Sequence, residues 1–331
     1  MIVVVVVVVI RFDNDNGNER LIRLYRANAP SGHVILPEFS NHSPIDMRST
    51  LQFFLYLLVC LVLAALLAPA LLATGWIDLE PQRAMGRLAQ IFMLLGIWPL
   101  LRWLSLADRG SLGYAVSGRV WLRSVGLGWL QGVAILLALV LILFALDIRI
   151  PDPNPWPGIA GKAAQALIGG LLIGLLEETF FRGALYSAIR RRDGMRSAIV
   201  WSSLLYALVH FLKPGALPAG MAFDGSGALW MFAHVFGDVF QWNNLDSMAA
   251  LFCVGVFLAL VRERTGQIGW CIGLHAGWVF VIQMTRRVTD GNDASNFAFL
   301  VGEYDGTIGW LAALWIGLLA FGYWALARRP S

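Results

Sequence analysis

The stretch from Ala163 to Ile189, AAQALIGGLLIGLLEETFFRGALYSAI, decides how the rest of the chain is read. It begins as an uncharged apolar segment of the kind that enters a bilayer, and is then interrupted by Glu177, Glu178 and Arg182. Each charge at the centre of a membrane helix costs roughly 2.5–3.5 kcal/mol on insertion scales, so the three together cost about 8–10 kcal/mol. A helix facing lipid would not carry that load, so this one must face the interior of a bundle. Glu178 and Arg182 are four residues apart and can pair on one helical face, with the glutamate N-terminal to the arginine as preferred. Glu177 has no such partner within its own helix.

The surrounding sequence supplies the bundle. Hydrophobic residues make up 58% of the chain, and several windows approach the ~20 uncharged residues needed to span about 30 Å of hydrocarbon. We read spans near 50–74, 88–105, 124–146, 163–189, 196–212, 245–261, 268–285 and 307–327. The expected fold is therefore an all-α, polytopic membrane helical bundle of about eight transmembrane helices. Residues 50–327 are expected to form one transmembrane domain. Residues 1–49 do not fit this pattern. Val3 to Val9 is a homopolymer too short to span, and the Asn-rich segment that follows is polar. With no basic region before it and no small-residue cleavage site after it, the segment does not read as a signal peptide. We expect either a disordered extension or one lying upstream of a true start at Met47, with a strand or surface anchor as the alternative.

Arginines orient the helices. If the spans alternate, Arg109, Arg119, Arg123, Arg190, Arg191, Arg192, Arg196, Arg262, Arg264, Arg328 and Arg329 fall on one side, and the acidic Asp290, Asp293, Glu303 and Asp305 on the other. The positive-inside rule then puts both termini in the cytoplasm of an integral membrane protein, expected in a bacterial inner membrane. The net charge of +4 is a topology signal. No basic stripe interleaved with aromatics asks for nucleic acid, and the partner that composition implies is membrane lipid. Cys60, Cys253 and Cys271 lie in predicted spans without CxxC spacing and read as small packing residues. The segment Leu229 to Phe240, aromatic around His234 and Asp238, suits a helix at the interface or re-entering the bundle.

Two further ionisable groups lie at membrane depth. His210 shares a helical face with Ser203 and Tyr206, and His275 sits in a separate predicted span. Either histidine alone would pass as a satisfied core residue. Three helices that each carry such groups imply a shared polar cavity, because each group can be solvated only by the others or by water. Gly170 and Gly174 form a GxxxG spacing that permits close approach of a neighbouring helix there. A carboxylate and imidazoles around water can perform general-base hydrolysis, with Glu177 taking the proton and His210 holding the water. A side-chain nucleophile is less supported, since there is no GxSxG turn, and the HExxH spacing of zinc proteases is absent. No cofactor is expected; the alternative is zinc, for which Glu177, His210 and His275 would be an acceptable ligand set.

EETFFR at 177–182 matches the EExxxR pattern of the CAAX-protease and bacteriocin-processing (Abi or CPBP) family of intramembrane proteases. Tyr206 to His210 resembles the family's second motif, and the run Arg262 to Gly269 leading to His275 is similar to the segment before its third. The resemblance covers roughly residues 163–285, which it implies to be the catalytic core, and it implies a peptide or protein substrate, lipidated or not. It implies a glutamate-dependent endopeptidase like the CAAX prenyl proteases, with Glu177 as the base, His210 as its partner and His275 as an oxyanion donor. Glu178 and Arg182 would shape and charge the site. The chain departs from the family where the third motif commonly has Asn or Asp four residues after the histidine: Val279 stands there and cannot donate. That leaves His275, a backbone amide or Trp278 as donor. Readings of other classes are a noncatalytic immunity or scaffolding protein with a degenerate pocket, and a proton-coupled transporter using the buried Glu and His.

Overall fold

The computed structural model describes residues 48–154 and 157–327. The expectation for residues 1–49 lies outside them, except that Arg48 and Ser49 already belong to the first helix. The chain runs through α1 (Arg48–Ala73), α2 (Pro81–Trp103), the one-turn α3 (Arg109–Leu112), α4 (Gly118–Ala145) and α5 (Ile159–Glu178). A π-helical segment, Thr179–Leu185, leads directly into α6 (Tyr186–Val209), followed by α7 (Gly225–Ala233), α8 (Leu245–Thr265), α9 (Gly269–Val288) and α10 (Trp310–Ala327). Local chemistry marks several of these ends. Pro81 opens α2, the Asp108 carboxylate caps α3 by accepting from the Ser111 amide at 2.8 Å, and Gly266 at φ 66° closes α8. The bundle is not wholly helical. β1 (Arg149–Pro151) pairs antiparallel with β2 (Thr289–Gly291), Ile150 opposite Asp290, a ribbon that three-residue strands do not announce in sequence.

The polytopic helical bundle expected from the sequence is what the chain forms. Among the described residues five helical segments are long and apolar enough to cross a membrane, namely 48–73, 81–103, 118–145, 159–209 and 242–265, with a shorter apolar helix at 310–326. The difference from eight has two physical sources. The segment 159–209 holds both of the spans expected at 163–189 and 196–212, as two helices that meet where Gly194 takes the non-helical φ 81° and ψ 178°. The span expected at 268–285 is α9, which is less apolar because it is the most interior helix, with eleven buried residues. Outer helices expose leucine instead: Leu66 and Leu95 are each 69% accessible, as a lipid-facing surface requires.

Two apolar clusters hold the helices. One joins α4, α8, α9 and α10 through residues such as Leu139, Phe257, Trp278 and Trp315. The other joins α1, α2, the π segment, α6 and α8 through Phe53, Leu101, Phe180, Phe181 and Tyr206. Helix α9 is drawn against two neighbours by missing side chains. A Cβ built on Gly170 or Gly174 would stand 2.9 Å from the carbonyl oxygens of Ala276 and Ile272, so the GxxxG spacing seats α5 on α9 at backbone contact. On the opposite side, a Cβ on Gly273 or Gly277 would meet the Val125 and Trp129 carbonyl oxygens of α4 at 2.2 and 2.5 Å. This double close approach fixes His275 of α9 beside the end of α5, where the two glutamates lie.

Candidate active site

Glu178 is the last residue of α5 and the π segment begins immediately after it. Continuous α-helix is the expectation for 163–189, and the wider turn corrects it. Single π turns occur often at functional sites, and this one buries every residue from Phe180 to Leu185. The Thr179 hydroxyl anchors its start, 2.5 Å from the Leu175 carbonyl and 2.6 Å from the Tyr114 hydroxyl.

The expected i, i+4 pair forms within this turn. Arg182 Nη1 donates to Glu178 Oε1 at 3.2 Å, and neither side chain has any solvent access. The arginine is also held by the Gly255 carbonyl of α8 at 3.3 Å from Nη2, and its guanidinium carbon lies 4.3 Å from the centre of the Tyr206 ring. Glu178 has a second partner that the spacing could not indicate. Its Oε1 accepts from His275 Nδ1 at 2.8 Å. Glu178 therefore orients the imidazole of α9 while Arg182 neutralises it.

Glu177 points the other way. Its Oε2 lies 3.8 Å from His210 Nε2 and 3.9 Å from His275 Nε2, and makes no hydrogen bond with the protein. His210, at the end of α6, is held through Nδ1 by the Tyr206 carbonyl at 2.7 Å. A carbonyl only accepts, so Nδ1 carries the hydrogen and Nε2, which in the neutral ring bears the lone pair, faces Glu177. Tyr206 packs edge-on to both histidines, with ring centres 4.5 Å from His210 and 6.2 Å from His275. Three carboxylate and imidazole groups from three helices thus converge. The described residues hold no group of three or more His, Cys, Asp or Glu side chains disposed for a metal ion.

A cavity of about 520 Å³ reaches this point. Glu177, Phe181 and His210 line it together with Leu57, Leu61 and Met93 from α1 and α2, and with Gln82, Lys213 and Tyr304. Sequence reasoning did not select Tyr304, which lies between β2 and α10, far in the chain from any motif. Its ring packs on Phe211 at 5.2 Å, with Lys213 Nζ 4.8 Å from its centre. Burial, with Asp305 and Glu177 nearby, pushes its phenol up to about 12, so it remains a donor at neutral pH. Leu57, Leu61 and Met93 read as lipid-facing positions, and only packing turns them towards the site. Trp278 goes elsewhere: its ring lies 6.0 Å from Phe257 in the α4–α8–α9–α10 cluster, away from the cavity wall. His234 and Asp238 do not share a helix either. Helix α7 ends at Ala233, and His234 stacks on Trp230 with centres 3.9 Å apart.

Residues 159–281 match the family model described as type II CAAX prenyl endopeptidase Rce1-like. An uncharacterized 24.3 kDa protein of Escherichia coli is 28% identical over 160 residues, which are 46% of this chain and 61% of that relative. The chain thus spans under two thirds of that relative's length. No solved structure matches the chain significantly. The matched residues run from α5 through most of α9 and include Glu177, Glu178, Arg182, Tyr206, His210 and His275, but neither Tyr304 nor the α1–α2 wall of the cavity. Residues 159–281 are therefore a type II CAAX prenyl endopeptidase Rce1-like domain within an integral membrane protein.

Proposed function

We propose that this protein is an intramembrane endopeptidase in which Glu177 activates water for peptide-bond hydrolysis. The observation that carries the reading is the meeting of Glu177 Oε2 with two imidazole Nε2 atoms, at 3.8 and 3.9 Å, in the wall of a cavity large enough for a peptide segment. Gaps of that length suit a bridging water. Glu177 takes a proton as the water oxygen attacks the carbonyl carbon, and the C–N bond breaks as the proton passes to the leaving nitrogen. His210, with its lone pair towards the site, holds the second hydrogen of the water. His275 already donates Nδ1–H to Glu178. When protonated it offers Nε2–H to the developing oxyanion, with the Glu178 carboxylate stabilising its charge. Its substrate is a peptide or protein segment at the membrane. In a bacterial inner membrane, with both termini cytoplasmic, the arginine-rich loops would lie inside.

Val279 leaves the oxyanion one side-chain donor short of the family pattern, and Trp278, packed in the other cluster, does not replace it. Tyr304 is the hydroxyl best situated to do so. Val279→Asn is expected to raise the catalytic rate, and one oxyanion donor is worth up to about 2.7–4 kcal/mol. An unchanged or lower rate in well-folded Val279→Asn, together with a fall in Tyr304→Phe, would assign that role to the tyrosine.

Cleavage of paired peptides, one prenylated near its C-terminus and one not, by purified protein in lipid vesicles tests the reading. Activity is expected to survive prolonged chelation. Loss with the chelator and recovery on adding zinc would make Glu177, His210 and His275 zinc ligands instead.

A further inference from the structure

The two ends of the bundle differ in charge, and the described residues that line the cavity include loop positions of one of them. Residues 102–123, 190–196 and 262–264 together hold ten arginines and three acidic residues. These stretches meet: Arg191 donates to the Ser105 carbonyl at 2.8 Å, Arg190 pairs with Glu263 at 2.9 Å, and Arg262 reaches the Ser111 carbonyl at 3.2 Å. At the other end, residues 74–87, 147–162, 213–246 and 286–305 hold seven basic and eleven acidic residues. They too form one face. Gln82 donates to the Pro214 carbonyl at 3.0 Å, Asn292 to that of Asp147 at 2.9 Å, Arg149 to that of Gly306 at 3.3 Å, and Lys213 lies over Tyr304.

Gln82, Arg83, Lys213, Pro214 and Tyr304 line the cavity, and all belong to the acidic end. His210 is only three residues from Lys213, roughly one helical turn, whereas Glu177 is thirteen residues from Arg190, about 20 Å of helix. The site therefore lies close to the acidic end and is reached from it. Exposed aromatics mark a membrane interface on the same side: Trp76, Phe240 and Trp242 are each more than 80% accessible.

We infer that the catalytic cavity opens on the extracytoplasmic face, and that its substrate is an exported polypeptide segment at the outer surface of the membrane and not a cytoplasmic protein. The excess arginine belongs inside, which leaves the acidic, aromatic-rimmed mouth outside. The substrate half of this inference rests on the endopeptidase reading. The direction of the opening does not.

Two measurements on the full chain test the two halves separately. In a background where Cys60, Cys253 and Cys271 are replaced by Ala, Lys213→Cys should react with a membrane-impermeant maleimide in right-side-out vesicles, and Arg191→Cys only in inverted ones. The reverse pattern, or labelling of both positions from one side, overturns the inference. Impermeant fluorogenic peptides are then added to each vesicle type, with Glu177→Gln vesicles as the blank. Cleavage confined to right-side-out vesicles is expected. Glu177-dependent cleavage confined to inverted vesicles overturns the substrate assignment even where Lys213→Cys labels from outside. Equal signals from wild type and Glu177→Gln in both preparations overturn the endopeptidase reading and the substrate assignment with it, while the labelling still decides the opening.

Discussion

Arg182→Ala is expected to destabilise the protein by about 3–5 kcal/mol, read as a lower melting temperature in detergent and poor accumulation in the membrane. The guanidinium has no solvent access and touches Glu178, the Gly255 carbonyl and the Tyr206 ring. Its removal leaves the Glu178 carboxylate buried with only His275 to balance it, and strands a carbonyl of α8. Helical spacing alone would lead one to expect rescue by exchanging residues 178 and 182. The geometry argues otherwise. An arginine at 178 would face His275, and a glutamate at 182 would face the Gly255 carbonyl, so each new group would meet a partner of the wrong polarity. An Arg182→Ala protein as stable as the wild type would contradict the burial of this pair.

His210→Ala is expected to lower turnover by roughly 10²–10⁴-fold, the range typical of a lost acid–base partner, and Glu177→Gln by a comparable factor. The double variant should be little slower than either single one. Both residues act on one water, so removing the second takes away a function already lost. Additive losses, with each factor multiplying the other, would mean that the two side chains serve different steps despite their 3.8 Å separation.

Much of this site is readable from the chain because the bilayer makes its polar groups conspicuous. Glu177, His210 and His275 lie in separate segments, and nothing in hydrocarbon can solvate them except one another. Their convergence follows from that constraint, as the Glu178–Arg182 pair follows from helical spacing. The GxxxG spacing likewise announces a close contact, although it does not say that α9 is the partner. What escapes the sequence depends on choices without a compositional sign. A π turn needs only a shift from i→i+4 to i→i+5 hydrogen bonds, which Thr179–Leu185 could satisfy either way. The bond from Glu178 to His275 depends on the relative rotation of α5 and α9. Leu57, Leu61 and Met93 have the same chemistry whether they face lipid or a cavity, so the α1–α2 wall is invisible until the helices are packed. Trp278 looks available as a donor because three residues' spacing puts it on the same side of α9 as His275, yet its ring packs against Phe257 in the α4–α8–α9–α10 cluster.

The central claim is that this protein hydrolyses peptide bonds with Glu177 as the base. Cleavage of a membrane-inserted peptide by purified wild type and Glu177→Gln, matched for melting temperature and for peptide binding, tests it most directly. Glutamine keeps the shape of the side chain and removes its basicity. The account predicts turnover by the wild type and a loss of at least about 10²-fold in Glu177→Gln with binding unchanged. Equal cleavage by both proteins, or none by either, would contradict it and leave a membrane protein that keeps the pocket without the chemistry.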